Sequence, residues 1–540
     1  MFFGYLIRKL RYLADSRRIQ PKSGGEGGET TKDESPPKIN HTLQENIKNL
    51  KAALGDAQDL KVHPFRFGPG NAFSGALVFI DGMVNNSTLT DAVLRPLNSW
   101  RTGGGRLPEK AALLEVLEQE ALCAAGVQIV RSIPEFATGC LSGDTVLLVD
   151  GCAGGLVIES KGWDKRSVSE PQSESVVRGP REGFTENLRT NTSLIRRKIR
   201  NGKLNVEQII VGRKTRTGIC LMYLEGVANP KVVEMVKYRI GQLDVESILE
   251  TGYIEEYIED APFSPFSTIG YSEKPDVVAS KILEGRVAII VDGTPFVLTA
   301  PMLFAESFQT SEDYYNRPLY ASMIRLIRYI AFFIAVFAPA IYIALVSFQQ
   351  ELIPTTLLFT FARAREGTPF PSLVEAIIMA FAFEILREAG VRLPRPVGQA
   401  ISIVGALIMG DAAVSAGLVG APMVIVVAIT AVAGFLVPTQ NDAATMIRLV
   451  VMVLASFAGF YGVVFCFLGM LIHLATLESF GIAYIGRFDD AQEAKDTFVR
   501  MPLWTMVRRP KGIAKGDTTR GRLFIPPLRP HAPEEEGAEP

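Results

Sequence analysis

The chain has 540 residues, 48% of them apolar, and a net charge of −1, so it lacks the global basic field with which proteins hold nucleic acid. Its mean hydropathy of +0.20 implies that the apolar residues are concentrated in one part of the chain. Five scattered cysteines (Cys123, Cys140, Cys152, Cys220, Cys466) without a C-x-x-C pair, and four distant histidines (His41, His63, His473, His531), argue against a disulfide framework or a zinc site, and the thiols fit a reducing compartment.

The first residues carry no secretory signal, since the apolar run is very short and the charge lies on the wrong side of it. Phe3, Leu6, Ile7, Leu10 and Leu13 fall at helical spacing among Arg8, Lys9, Arg11, Arg17 and Arg18. Two readings stand: a basic amphipathic helix on an anionic membrane face, or an ordinary surface helix. Residues 20–40 contain no apolar run and read as a disordered linker, so segment 1–40 is set apart.

From residue 41 onward, helical and strand patterns alternate. HTLQENIKNLKAALG predicts a helix with Thr42 and Glu45 as a capping box. ALVFIDG (76–82), DTVLLVDG (144–151) and GRVAIIVDG (285–293) are β-rich runs that stop at Asp-Gly. A second apolar run follows the last two, GLVIES and PFVLTAP, which predicts β-hairpins closed by tight Asp-Gly turns. The recurrence predicts two related α/β subdomains, 41–140 and 141–320.

After Arg325 the character changes. Residues 324–348, 397–420, 421–438 and 447–477 are apolar runs, against the roughly 20 residues that a bilayer core demands of a helix. The fold class expected is therefore an α/β soluble N-terminal domain of two subdomains, followed by an α-helical transmembrane domain (321–480) of about four spans, four to six being compatible. Residues 371–390 carry Glu375, Glu384, Arg387 and Glu388 and read as a helix packed among the others or an interfacial one. A polar, basic tail (481–540) closes the chain. Basic residues flank the apolar region on both sides (Arg317, Arg325 and Arg328 before it, Arg508 and Arg509 after it), which predicts an even number of spans with N- and C-termini cytoplasmic.

Four strings carry a resemblance: SEPQSESVVRGPREGFTENLRTNTSLIRRKIRNGKL (169–204), EGRVAIIVDGTPFVLTAP (284–301), EDYY (312–315) and ILREAGVRLPRPVGQAISIVGALIMGDAAVSAGLV (385–419). Together they resemble the GerA family, the A subunits of nutrient germinant receptors of bacterial spores. FSTIGYSEKPD (266–276) departs from that pattern, with Lys274 where an arginine is expected. The resemblance implies an integral, multi-pass protein of the spore inner membrane. It also implies a transporter-like B subunit and a lipoprotein C subunit as partners, contact with membrane lipid, and a homo-oligomer that conducts cations during nutrient-triggered germination. Two alternatives remain open: a non-conducting scaffold for a germinant-binding partner, and a homologous subunit associated with the dipicolinate channel that amplifies germination.

On the residues' own terms, GPREGFTENL (179–188) is a turn followed by alternating charge and a helix start, with Thr185 as cap and Leu188, Ile195 and Ile199 on the buried side. Arg178, Arg181, Glu182 and Glu186 are candidate subunit-contact residues; the alternative is a solvated face. Gly398, Ser402, Ala406 and Gly410 recur every fourth position, as in close helix packing or a narrow pore. Asp411 follows, as a pore carboxylate or as the cap of a second short helix. GRKTRTG (212–218) lacks the ending of a phosphate loop, and no catalytic, metal or cofactor residue is assigned. EDYYNRPLYASMIR (312–325) joins domain to helix, and is where force would pass.

Overall fold

The computed structural model describes residues 39–55, 57–100, 109–110, 112–124, 126–162, 170–171, 173–174, 176–392, 410–486, 494–510 and 512–521. The amphipathic start and nearly all of the linker lie outside the described residues, as do Gly398, Ser402 and Ala406.

Helix α1 (Leu43–Ala53) leads into the hairpin β1 (Leu60–Phe67) and β2 (Phe73–Ile80). After irregular helical turns come β3 (Val127–Val130), α2 (Ile133–Ser142), β4 (Thr145–Val149) and β5 (Gly155–Ile158). A second unit follows: α3 (Leu188–Lys198), β6 (Leu204–Val211), β7 (Thr217–Leu224), α4 (Pro230–Gly241), α5 (Thr251–Ile258), β8 (Gly270–Ser272), α6 (Pro275–Leu283), β9 (Val287–Val291) and β10 (Val297–Ala300). The sheets run β1-β2-β4-β5-β3 and β6-β7-β9-β10-β8, the same order, with antiparallel pairing throughout. The boundary expected at 140/141 falls within α2, inside the first sheet unit.

The central strands are apolar on both faces because both faces are covered. In β4, Val146 and Leu148 pack under α1 and α2, while Leu147 and Val149 face the irregular helical turns. In β9, Ala288 and Ile290 pack beneath α3 and α6, and Val287, Ile289 and Val291 beneath α4 and α5. The two-residue period of a strand sends alternate side chains to opposite cores.

The hairpins β4–β5 and β9–β10 form as expected, but with Leu148 opposite Gly155 and Ile290 opposite Val297 their loops are longer than tight Asp-Gly turns. Each Asp has another task. The Asp150 side chain accepts from Leu43 N (3.1 Å), and Asp292 from Leu188 N (3.0 Å). The following glycine N–H donates to His41 O in one unit and to Glu186 O in the other, 2.8 Å each. Buried Asn46 clasps Asn40, and buried Asn191 clasps Thr185, by the same pair of bonds at 2.8 and 2.6 Å. The loop thus supplies acceptors for N–H groups that a helix start leaves open. This replaces both expected caps: Thr42 makes no side-chain cap, and α3 is capped by Asn187 instead of Thr185.

The chain then enters a helical bundle through α7 (Glu312–Tyr315) and α8 (Pro318–Ser347). Next come α9 (Thr355–Arg365), α10 (Ser372–Arg392), α11 (Ala421–Phe435), α12 (Asn441–Ala458) and α13 (Phe460–Thr476). By length and composition alone, Pro318–Ser347 and Pro438–Ala458 are long and apolar enough to cross a membrane. The apolar run 447–477 is not one helix. Gly459, at φ 60° and ψ −139°, breaks it, and α13 folds back so that Gly462 lies against the Leu454 carbonyl. Residues 371–390 form α10 inside the bundle, where buried Glu375 faces Arg365 (3.6 Å) and accepts from Thr368 Oγ1 (3.2 Å) and Gly420 N (3.3 Å).

Beyond the bundle, the small hairpin β11 (Glu478–Ser479) and β12 (Ile482–Ala483) leads to α14 (Ala494–Thr497). The polar tail then docks. Asp517 N donates to Gly226 O (2.7 Å), Ala228 bridges Ala514, and Arg509 Nε donates to Leu283 O (2.8 Å). Ile513 and Ala514 are buried, so part of this segment belongs to the second unit's core, not to a solvated tail.

Candidate functional site

The connection between sheet unit and bundle carries a cluster of deeply buried charges. Asp313, in α7, and Arg325, near the start of α8, are 2% and 0% exposed. Arg328 lies one helical turn further on, so the two guanidiniums share one face. Arg328 holds Asp313 through two bonds of 2.9 Å, and Arg325 Nε donates to Asp313 Oδ2 at 3.1 Å. Arg328 also donates to Phe308 O (2.8 Å) and Thr310 Oγ1 (3.0 Å). Arg325 Nη1 reaches Asp496 Oδ1 of α14 at 2.9 Å, and Tyr314 donates to Asp496 Oδ2 at 2.8 Å. Arg500 donates to Tyr314 O (3.2 Å), and the guanidiniums of Arg325 and Arg500 lie near the Tyr314 ring.

Burial pushes the Asp496 carboxyl up, opposed by Arg325. Burial, then the charge of Asp496, pushes the Tyr314 hydroxyl well above its usual range, so it stays a donor. The network ties three stretches distant in sequence: the end of the sheet unit, the first long helix and the returning tail. Removing one charge from such a cluster strands the others in low dielectric.

A second ion cluster lies beside it. Arg286 pairs with Glu284 and Glu306, Lys281 with Glu306 (3.4 Å), and Arg520 of the tail with Glu284 (2.8 Å). Burial pushes Glu284 up, but Arg286 and Arg520 more than offset it and hold the carboxyl below its ordinary range. Lys274, the departure from the family pattern, is buried, with Nζ 3.0 Å from Ser311 Oγ and 3.6 Å from Asp276.

The residues expected at a subunit contact do not form one network. The Arg178 N–H donates to Glu312 (3.2 Å), Arg181 reaches Glu170 (3.3 Å), Glu182 pairs with Arg197 and Lys198, and Glu186 contributes its carbonyl to Gly293. They lie on a strap tied to α7, where Gly179, at φ 142°, leaves room for the Tyr315 ring; a Cβ there would come within 2.8 Å of it. Gly410 faces Val424 of α11, in keeping with close packing, and Asp411 is exposed. Arg325 and Arg328 were visible in the sequence only as basic flanks. The available signal was two arginines three apart on the first turns of an apolar helix, just after a short acidic segment.

Residues 48–512 match the profile of a family described as Bacillus/Clostridium GerA spore germination protein. The chain is 43% identical over 487 residues to "Uncharacterized membrane protein YfkQ" of Bacillus subtilis (strain 168), covering 89% of this chain and 93% of that one. It is 43% identical over 491 residues to "Spore germination protein KA" of the same organism, covering 90% and 89%. To "Spore germination protein GerLA" of Bacillus cereus it is 37% identical over 481 residues, covering 88% and 96%. Among solved structures it is similar to the N-terminal domain of the A subunit of the Bacillus megaterium spore germinant receptor GerK3, with 34% identity and a TM-score of 0.40, covering 50% of this chain and 98% of that one. Both sheets, the bundle and the first part of the docked tail lie within the matched residues, and the chain belongs to the GerA family of spore germination proteins.

Proposed function

We propose that the chain is an A subunit of a germinant receptor, embedded in the spore inner membrane through its helical bundle, and that it passes a nutrient signal from the sheet units to the bundle. The observation that carries this reading is the network of Asp313, Arg325, Arg328 and Asp496. A joint that only connected two domains would need no buried charges. One that transmits displacement must resist bending, and bidentate ion pairs do so. The start of α8 and the end of α13 lie at the same end of the bundle, beside the sheet unit, which supports an even number of crossings with both flanks cytoplasmic. Pro318–Ser347 and Pro438–Ala458 are long and apolar enough for two of these crossings, and the shorter apolar helices α11 and α13 supply two more.

The subunits assemble as a homo-oligomer that conducts monovalent cations, alongside a transporter-like and a lipoprotein partner. Arg178 and Arg181, exposed on the strap, remain the candidate contact with a neighbouring copy, together with Glu182 and Glu186. Asp411, also exposed, offers one carboxylate per subunit to a cation path. Spores carrying Asp411→Asn at normal membrane levels are expected to release potassium more slowly after nutrient addition. Spores lacking the chain should lose the response to its nutrient. A full set of unchanged nutrient responses in the deletion strain would overturn the receptor reading; normal release with Asp411→Asn would remove the conduction role of that residue.

A further inference from the structure

Phe263 is the most exposed large apolar side chain of the described residues, at 101% of its reference area. It sits in a turn closed by Ser264 N donating to Ala261 O (3.0 Å), between Pro262 and Pro265. The two prolines restrict the backbone, so the ring is held outward at little further entropic cost. Apolar groups held out in this way mark contact surfaces when the neighbouring surface is apolar too.

The turn is fastened to the bundle. Ser264 Oγ lies 2.9 Å from His473 Nε2 in the last turns of α13, and the Phe266 ring packs 6.1 Å from the His473 ring. Ala261 and Phe266 both pack on the bundle core, so Phe263 alone points away. Its height follows from the packing of α13 against α8. Phe467 meets Phe333 and Phe337, at 6.3 and 5.8 Å between ring centroids. His473, about 9 Å along α13 from Phe467, therefore lies level with Tyr329. Arg328, one residue before, belongs to the buried polar joint, whereas Ile330, Phe333 and Ile472 are exposed. From Tyr329 to Ser347 the helix rises about 27 Å, close to the hydrocarbon thickness of a bilayer. Phe263 thus stands level with the charged joint, towards one end of the apolar stripe that α8 exposes through Leu326, Ile327, Ile330 and Phe333.

We propose that the turn 261–265 docks on the lipid surface, with the Phe263 ring inserted between headgroups and acyl chains, and that it sets the height at which the second sheet unit rides on the membrane. The inference rests on the membrane reading of the bundle. Glu255, Glu256, Glu259 and Asp260 lie just before the turn, so the contact is apolar and does not call for anionic lipid.

The test uses the full chain in phosphatidylcholine bilayers. Cys140, Cys152 and Cys220 are buried, so only Cys123 and Cys466 are replaced by alanine before a polarity-sensitive fluorophore is attached at Phe263→Cys. A second preparation carries it at Phe465→Cys on the exposed face of α13. Lipids brominated near the headgroup end of their chains are expected to remove most of the emission from position 263. Deeply brominated lipids should act most on position 465. Quenching at 465 without quenching at 263 overturns the docking loop and leaves the membrane reading standing; quenching at neither overturns both.

Discussion

The two sheet units share a strand order and the same lock at the start of their first helix, yet they differ in what they touch. The second unit receives the docked tail, the small hairpin after α13 and the ion network at the joint. The first is held by the second. Buried Arg196 of α3 grips Asp59 with bonds of 2.8 and 2.9 Å, Gln58 pairs with Val206 and Gln208, and Gly55 and Gly202 lie against each other's strands of backbone. A duplicated architecture has thus been divided, one copy joined to the bundle and the other joined to that copy.

The largest effect should come from the joint. Asp313→Ala strands two buried guanidiniums, and a loss of about 3–5 kcal/mol is expected. Thermal unfolding of the detergent-solubilised chain should show a lower midpoint, and proteolysis should open the 312–318 connection. A midpoint equal to that of the parent chain would mean that the second unit is not coupled to the bundle through this site.

The contact between the units should come next. Asp59→Ala leaves Arg196 buried without its carboxylate, at a cost of about 3 kcal/mol. The expected outcome is independent movement of the first unit, read as faster hydrogen exchange in β1 and α3 while α8 and α12 stay protected. Equal acceleration across the bundle would break the distinction between the two units.

The tail offers a smaller test. A Cβ on Gly516 would lie 1.9 Å from Gly226 O, so Gly516→Ala must displace the tail, at roughly 1–3 kcal/mol. Residues 506–520 should become protease-sensitive, with the first unit's exchange unchanged. For the same reason a fragment ending near residue 310 should be less stable than the two sheets alone suggest, since it lacks Ile513 and Ala514.

The smallest effect is a pH dependence. Glu284 is held below its ordinary value of 4.5, so its contribution is fully present above that value and is lost as pH falls through the lowered one. Glu284→Gln should flatten the acid limb of the stability profile. An unchanged acid limb would mean that the Arg286–Glu284–Arg520 cluster adds nothing to the second unit.

Much of the fold was legible from periodicity. The runs VLLV and VAIIV announce buried central strands, and their common Asp-Gly ending pointed to a repeat. The capping role of Asp150 and Asp292 was not legible, because each partner lies more than a hundred residues away. The three-residue strand β8 is too short to show a period. Gly459 sits in an unbroken apolar run, and whether a glycine bends or merely continues a helix depends on what crowds it, here Phe348 and Gln349.

The sequence by itself determined the elements whose signal is local: alternating strands, long apolar helices, and the strings that identify the family. Side-chain period and apolar length act within one segment and need no partner. Only the tertiary structure decided which charges are buried together, where residues 512–521 dock, and which turn is fastened to α13. Those outcomes depend on desolvation, which a residue acquires only when chain from elsewhere removes its water. Arg325 reads as a positive flank until Asp313 and Asp496 close around it, and Phe263 as one more loop residue until His473 fixes its height.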